Sequence, residues 1–133
     1  MPLKLTLKPH ERVVIGKAFL TNADTTTRFF VENKVPILRQ KDLLTEKESK
    51  SACQKIYFLI QMMYLDTENI THYHQNYWTI VRSVINAAPS LLPIIEQISE
   101  MILAEEYYKA LKKTKQLIKK EQELIDHAKK KPS

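Results

Sequence analysis

Leu3-Lys4-Leu5-Thr6-Leu7 opens the chain with strict apolar–polar alternation, the pattern of a strand with one face turned inward. Alternation continues in short runs to about residue 44. Beyond that point apolar residues recur every three or four positions, which is the period of a helix with one buried stripe. The change of period predicts an α+β chain. A small N-terminal antiparallel β-sheet or partial barrel should occupy residues 1–44, followed by a C-terminal bundle of three to four helices over residues 45–133. The two parts are expected to form one compact unit.

Turn residues mark out the strands. Residues 3–7 should point Leu3, Leu5 and Leu7 inward, with Lys8-Pro9-His10-Glu11 as the following turn. Strands over residues 12–15 and 18–21 flank Gly16-Lys17, which suits a type II′ hairpin with glycine in the first central position. After the polar turn Asn22-Ala23-Asp24, residues 25–32 are rich in threonine and phenylalanine and read as a fourth strand. Residues 35–38 read as an edge strand, where Pro36 is tolerated because an edge does not need every N–H.

The helical part begins with Thr45-Glu46-Lys47-Glu48, a capping-box pattern expected to open the first helix. Ala52, Ile56, Leu59, Ile60 and Met63 form its stripe. Asp66-Thr67 should cap a second helix carrying Ile70, Tyr73, Tyr77, Ile80, Val81, Val84 and Ala88. Pro89 stops it, and Ser90 is the expected N-cap of a third helix with Leu91, Ile94, Ile95, Ile98 and Ile102. From Ala104 onward, Tyr107, Leu111, Ile118 and Ile125 fit either a continuation of the third helix or a fourth after a kink. Lys129-Lys130-Lys131-Pro132-Ser133 should be frayed and solvated.

Composition removes several function classes. A single glycine in 133 residues excludes glycine-rich phosphate loops and dinucleotide fingerprints. The lone Cys53 excludes an intramolecular disulfide and suits a small buried position. The amino terminus carries no apolar signal core, and no apolar run approaches the length of a membrane span, so a cytoplasmic protein without membrane contact is expected. His72 and His74 near Asp66 and Glu68 lack the spacing of a metal site. Glu105-Glu106, and Glu121 with Glu123, are expected on solvated helix faces. Neither a catalytic residue set nor a cofactor is expected, and the chain reads as a binding protein rather than an enzyme.

Charge gives the first hint of a ligand. Lys and Arg number 8 against 4 Asp and Glu over residues 1–44, 4 against 6 over residues 45–104, and 9 against 5 beyond. Positive charge on the β part favours a polyanion, RNA before DNA or membrane. Lys4, Lys8, Arg12, Arg28, Lys34, Arg39 and Lys41 are interleaved with Phe19, Phe29 and Phe30, the ingredients of a single-stranded RNA platform. Met62, Tyr64, Tyr107 and Tyr108 exceed what one core stripe needs. They serve either the core or an adaptable protein-binding surface. An open sheet edge offers a further option, pairing with a second copy as a homodimer.

A family resemblance follows from several blocks in order: Met1-Pro2-Leu3-Lys4-Leu5, Leu7-Lys8-Pro9, Glu32-Asn33-Lys34, Ile37-Leu38-Arg39, Met62-Met63-Tyr64-Leu65, and Glu106-Tyr107-Tyr108-Lys109-Ala110-Leu111. With them the chain resembles the FlbT family over roughly residues 1–125. The resemblance implies a post-transcriptional regulator of flagellin synthesis. Such a protein associates with the 5′ untranslated leader of flagellin mRNA and represses translation or promotes decay. It also implies pairing with a FlaF-like protein, with flagellin itself as a further candidate partner. The chain departs from the family pattern at His10 and Ala23, where turn glycines are usual.

Overall fold

A computed structural model describes residues 2–130 and divides the chain into two compact units, residues 1–43 and 44–133. The β unit contains β1 (Leu3–Leu7), β2 (Arg12–Ile15), β3 (Ala18–Thr21), β4 (Thr27–Val31) and β5 (Ile37–Arg39). All pairings are antiparallel. β1 and β4 form a two-stranded ribbon, and β3-β2-β5 form a second sheet. The mixed class expected from the two periods is therefore present, with two small sheets in place of one.

Alternation buries Leu5 and Leu7, whereas Leu3, at the open end of the ribbon, remains 49% exposed rather than inward. Gly16 takes φ of 60° while Lys17 keeps a negative φ, which is the type II′ pattern and not type I′. The last strand begins one residue after Pro36. Lacking an N–H, Pro36 contributes only its carbonyl, which accepts from the Gly16 amide at 2.8 Å.

Asn22 ties the two sheets together. Its amide nitrogen donates to the carbonyls of Lys8 at 2.8 Å, Thr25 at 3.0 Å and Leu7 at 3.2 Å. Its oxygen accepts from the Ala23 amide and the Thr27 hydroxyl, each at 2.9 Å. One side chain thus satisfies main chain from the end of β1, the following turn and the approach to β4. His10 sits in the left-handed region at φ 63°, and its amide donates to the Ala23 carbonyl at 2.9 Å.

The helical unit contains α1 (Ala52–Leu65), α2 (Ile70–Ala87), α3 (Leu92–Leu103) and α4 (Tyr107–Lys130). α1 packs against both α2 and α4, and α3 packs against α4. Cys53, Ile56, Ile60 and Met63 of α1 are fully buried, as are Tyr77 of α2, Ile98 of α3 and Leu117 of α4. Each such aliphatic side chain contributes about 1.5–3 kcal/mol through burial. Gln61, also buried, donates to the Leu44 carbonyl and accepts from the Leu44 amide, both at 2.9 Å.

Several helix starts differ from the sequence expectation. The Thr45–Glu48 box forms, with the Glu48 amide donating to Thr45 Oγ1 at 3.2 Å and the Thr45 amide to Glu48 Oε1 at 3.1 Å. It closes only an isolated turn, because the Ser49 hydroxyl bonds back to the Glu46 carbonyl at 2.7 Å and competes with the helical ladder. α1 is capped instead by a second box, Ser51 with Gln54. Asp66 does not cap α2. A 3-10 turn over Thr67–Asn69 intervenes, and the Asp66 carboxylate accepts from Tyr73 and Asn69 side chains. Ser90 falls inside another 3-10 turn, Pro89–Leu91, and gives no side-chain cap to α3.

α3 and α4 are separate helices. Glu105 takes φ 58°, the Glu106 amide donates to the Met101 carbonyl at 2.8 Å and the Glu105 amide to that of Ile102 at 3.0 Å. This is a Schellman closure with glutamate where glycine is usual. Along α4 the buried set is Ala110, Leu111, Thr114 and Leu117, while Ile125 is exposed. Lys129 and Lys130 extend the helix instead of fraying. Lys131, Pro132 and Ser133 lie outside the described residues. Glu121 does not belong to a solvated face either: its carboxylate accepts the Cys53 amide at 3.1 Å, placing negative charge at the N-terminus of α1. Burial, then this carboxylate, pushes the Cys53 thiol well above its ordinary range.

Two substitutions check these joints. Asn22→Ala should lower the stability of the β unit by about 1–2 kcal/mol through the loss of its half-buried bonds to Leu7 and Thr27 and its more exposed bonds to the flanking turns. Native-state hydrogen exchange at β1 and β2 amides reads this, and unchanged protection would contradict the role given to Asn22. Glu105→Gly should stabilise the helical unit by about 1 kcal/mol by relieving left-handed strain. A urea midpoint followed by Trp78 fluorescence would then rise, and a fall would show that the glutamate is favoured there.

Candidate functional site

The register of the ribbon sorts its side chains. Lys4 pairs with Phe30, Leu5 with Phe29 and Thr6 with Arg28. Directly opposed residues share a face, so Lys4, Thr6, Arg28 and Phe30 lie together while Leu5, Leu7 and Phe29 lie on the other side. Lys4, Arg28 and Phe30 are all exposed, Phe30 to 59%. Two cations thus border an uncovered aromatic ring on a two-stranded scaffold.

A second basic group lies around the turn after β1. Lys8, His10, Glu11, Arg39 and Lys41 line one open depression of about 640 Å³. Arg39 is committed within it. Its Nη2 donates to Glu11 Oε2 at 2.9 Å and to the Thr6 carbonyl, and its Nε reaches Glu11 Oε2 at 3.2 Å. The Lys8 amide, donating to Glu11 Oε1 at 2.9 Å, and then Arg39 hold the Glu11 carboxyl below its ordinary range against partial burial. Arg39 therefore bridges β5, β1 and the intervening turn, and its charge is already matched by Glu11.

Of the seven basic residues singled out from sequence, Lys4 and Arg28 come together on the ribbon, and Lys8, Arg39 and Lys41 around the depression. Arg12 starts β2, with its main-chain amide donating to the Gln40 side chain at 2.7 Å. Lys34 lies in the loop after β4, outside both groups. The exposed Phe30 is the residue that a list of charges misses. Its signal was the Phe29-Phe30 pair itself, since adjacent strand residues face opposite ways and one ring must turn outward.

The four partner-binding candidates separate into three places. Met62 lines a groove of about 650 Å³ between α1 and α2, together with Phe58, Leu59, His72, Tyr73 and Ile80. Tyr64 and Tyr108 pack on each other, ring centroids 6.3 Å apart, with Lys112 Nζ 5.0 Å from the Tyr108 ring centre. Tyr107 turns the other way and lines a smaller depression with His74, Trp78, Ile102 and Glu105. Burial and then Glu105 raise its phenol above the ordinary value. The Tyr73 phenol is pushed up to about 12, chiefly by its 2.6 Å bond to Asp66. Tyr77 reaches about 12 through burial, with its hydroxyl 2.8 Å from that of Ser99.

No helix is long and apolar enough to cross a membrane, among the described residues. No solved structure matches the chain. Sequence relatives do. The probable flagellum biosynthesis repressor protein FlbT of Rhodopseudomonas palustris is 43% identical over 125 residues, covering 94% of this chain and 98% of that protein. The probable flagellum biosynthesis repressor protein FlbT 1 of Bradyrhizobium diazoefficiens is 39% identical, covering 93% and 85%. The flagellum biosynthesis repressor protein FlbT of Caulobacter vibrioides is 34% identical over 129 residues, covering 96% and 92%. The family model described as flagellar protein FlbT matches residues 3–125, and on this similarity the chain belongs to the FlbT family.

Proposed function

We propose that this chain is a cytoplasmic regulator of flagellum biosynthesis that binds the 5′ leader of flagellin mRNA and represses its translation or promotes its decay. The regulatory part of this reading follows the names of the relatives, which are flagellum biosynthesis repressors. The RNA part rests on one observation, the exposed Phe30 flanked on the same ribbon face by Lys4 and Arg28. An uncovered ring offers a base a stacking surface, and cations beside it meet the flanking phosphates. Lys8 and Lys41 extend positive charge around the neighbouring turn. Arg39 acts in this account as a positioning residue, because its guanidinium is held by Glu11 and Thr6.

A second contact, with protein, is favoured by the α1–α2 groove. Its apolar lining of Phe58, Leu59, Met62 and Ile80 with His72 and Asn76 alongside suits the apolar face of an amphipathic helix. A FlaF-like protein or flagellin is the partner we assign to it. Were this the only contact, the effect on the message would be indirect.

Titration of purified protein against leader RNA separates the two. Phe30→Ala should weaken binding by about 5- to 150-fold, the cost of one lost stack of about 1–3 kcal/mol. Lys4→Ala and Arg28→Ala should each reduce the slope of log affinity against log salt by about one. Unchanged affinity in all three, with the fold intact by circular dichroism, would refute the ribbon contact. Met62→Glu should leave RNA affinity unchanged and abolish capture of the FlaF-like protein or flagellin; capture at wild-type level would refute the groove contact.

A further inference from the structure

β3 is an edge strand whose four residues are all exposed, including Phe19 at 78% and Leu20 at 43%. Its ladder fixes which groups face away from β2. The hairpin pairs Ile15 with Ala18 and Val13 with Leu20 as hydrogen-bonded pairs, since the pair flanking a two-residue turn exchanges both bonds and the pattern then alternates. The Asn22 amide, bonded to the Glu11 carbonyl at 2.9 Å, continues the same phase. The N–H and C=O groups of Phe19 and Thr21 therefore point outward along the free edge. An exposed apolar edge of this kind is what soluble proteins ordinarily blunt with charge, proline or a cover.

We propose that β3 pairs antiparallel with β3 of a second copy of this chain, giving a two-fold dimer with one continuous sheet β5-β2-β3-β3-β2-β5. The outward groups are self-complementary. Phe19 exchanges both ladder bonds with Thr21 of the second copy, Thr21 does the same with its Phe19, and Leu20 meets Leu20 across the axis. The edge is also charged for this orientation: Lys17 precedes β3 and Asp24 follows it. Antiparallel pairing sets the Lys17 end of each strand beside the Asp24 end of the other, whereas parallel pairing would put like charges together. A two-fold pairing of this kind occupies the β3 edge of both copies, so β3 closes on one partner copy and offers nothing to a third. The proposal is independent of RNA binding, although a dimer would present two ribbons to one message.

Sedimentation velocity of the full chain, from low to high micromolar concentration, tests the pairing. The expected result is a species of twice the 15.6 kDa chain mass. Thr21→Pro removes an outward N–H without touching the β2 ladder, and Leu20→Lys places two cations on the axis. Both should return the protein to monomer while circular dichroism stays unchanged. Leu20→Cys should oxidise to a covalent dimer, because a non-hydrogen-bonded cross-strand pair brings the Cα atoms within disulfide range, whereas Thr26→Cys should not. A wild-type monomer at every concentration overturns the proposal. So does a dimer that survives both edge variants, or equal cross-linking of the two cysteine variants.

Discussion

The Arg39 guanidinium, held by Glu11 and by the Thr6 carbonyl, is the contact on which the β unit's usable surface depends. It joins the end of the three-stranded sheet to the ribbon and anchors the turn after β1. By consuming one cation, it also decides which positive charge is left for a ligand. Counting lysines and arginines treats all of them as alike. The geometry separates a positioning arginine from the solvent-facing Lys4 and Arg28 beside an open phenylalanine ring. Asn22 completes the joint with its own bonds to Leu7, Lys8 and Thr25, so the ribbon face is presented on a braced scaffold.

Scarcity of glycine shapes the rest. Only Gly16 is available for the left-handed region, and the hairpin uses it. Among the described residues two further sites take a positive φ with side chains that cost more, His10 after β1 and Glu105 between α3 and α4. The helical unit packs around α1, which meets both α2 and α4. Its N-terminus is served twice, by the Ser51–Gln54 box and by Glu121 reaching across from α4. Glu121 is thereby a structural carboxylate, although its local sequence looks like an ordinary charged face.

Most of the architecture was legible from period and turn chemistry. The strand over residues 3–7, the Gly16-Lys17 hairpin and the stop at Pro89 follow local rules that tertiary context did not override, although Leu3 stays exposed at the ribbon's end. Helix starts were less legible because Thr, Ser and Asp side chains have several partners within reach. Thr45–Glu48 makes its box and then fails to propagate, and Asp66 bonds the Tyr73 and Asn69 side chains instead of capping α2. The candidate site was half legible. Residue types pointed to Lys4 and Arg28, but the loss of Arg39 to Glu11 spans residues distant in sequence, which no local pattern encodes. The emergence of Phe30 required the strand register that pairs it with Lys4.

Photo-cross-linking of the wild-type protein to flagellin leader RNA, with the modified peptide mapped by mass spectrometry, tests the central claim most directly. The account places the RNA-linked residue on the ribbon, at Phe30 or its immediate strand neighbours. Cross-links confined to the helical unit, or none above those to a scrambled RNA, would contradict it.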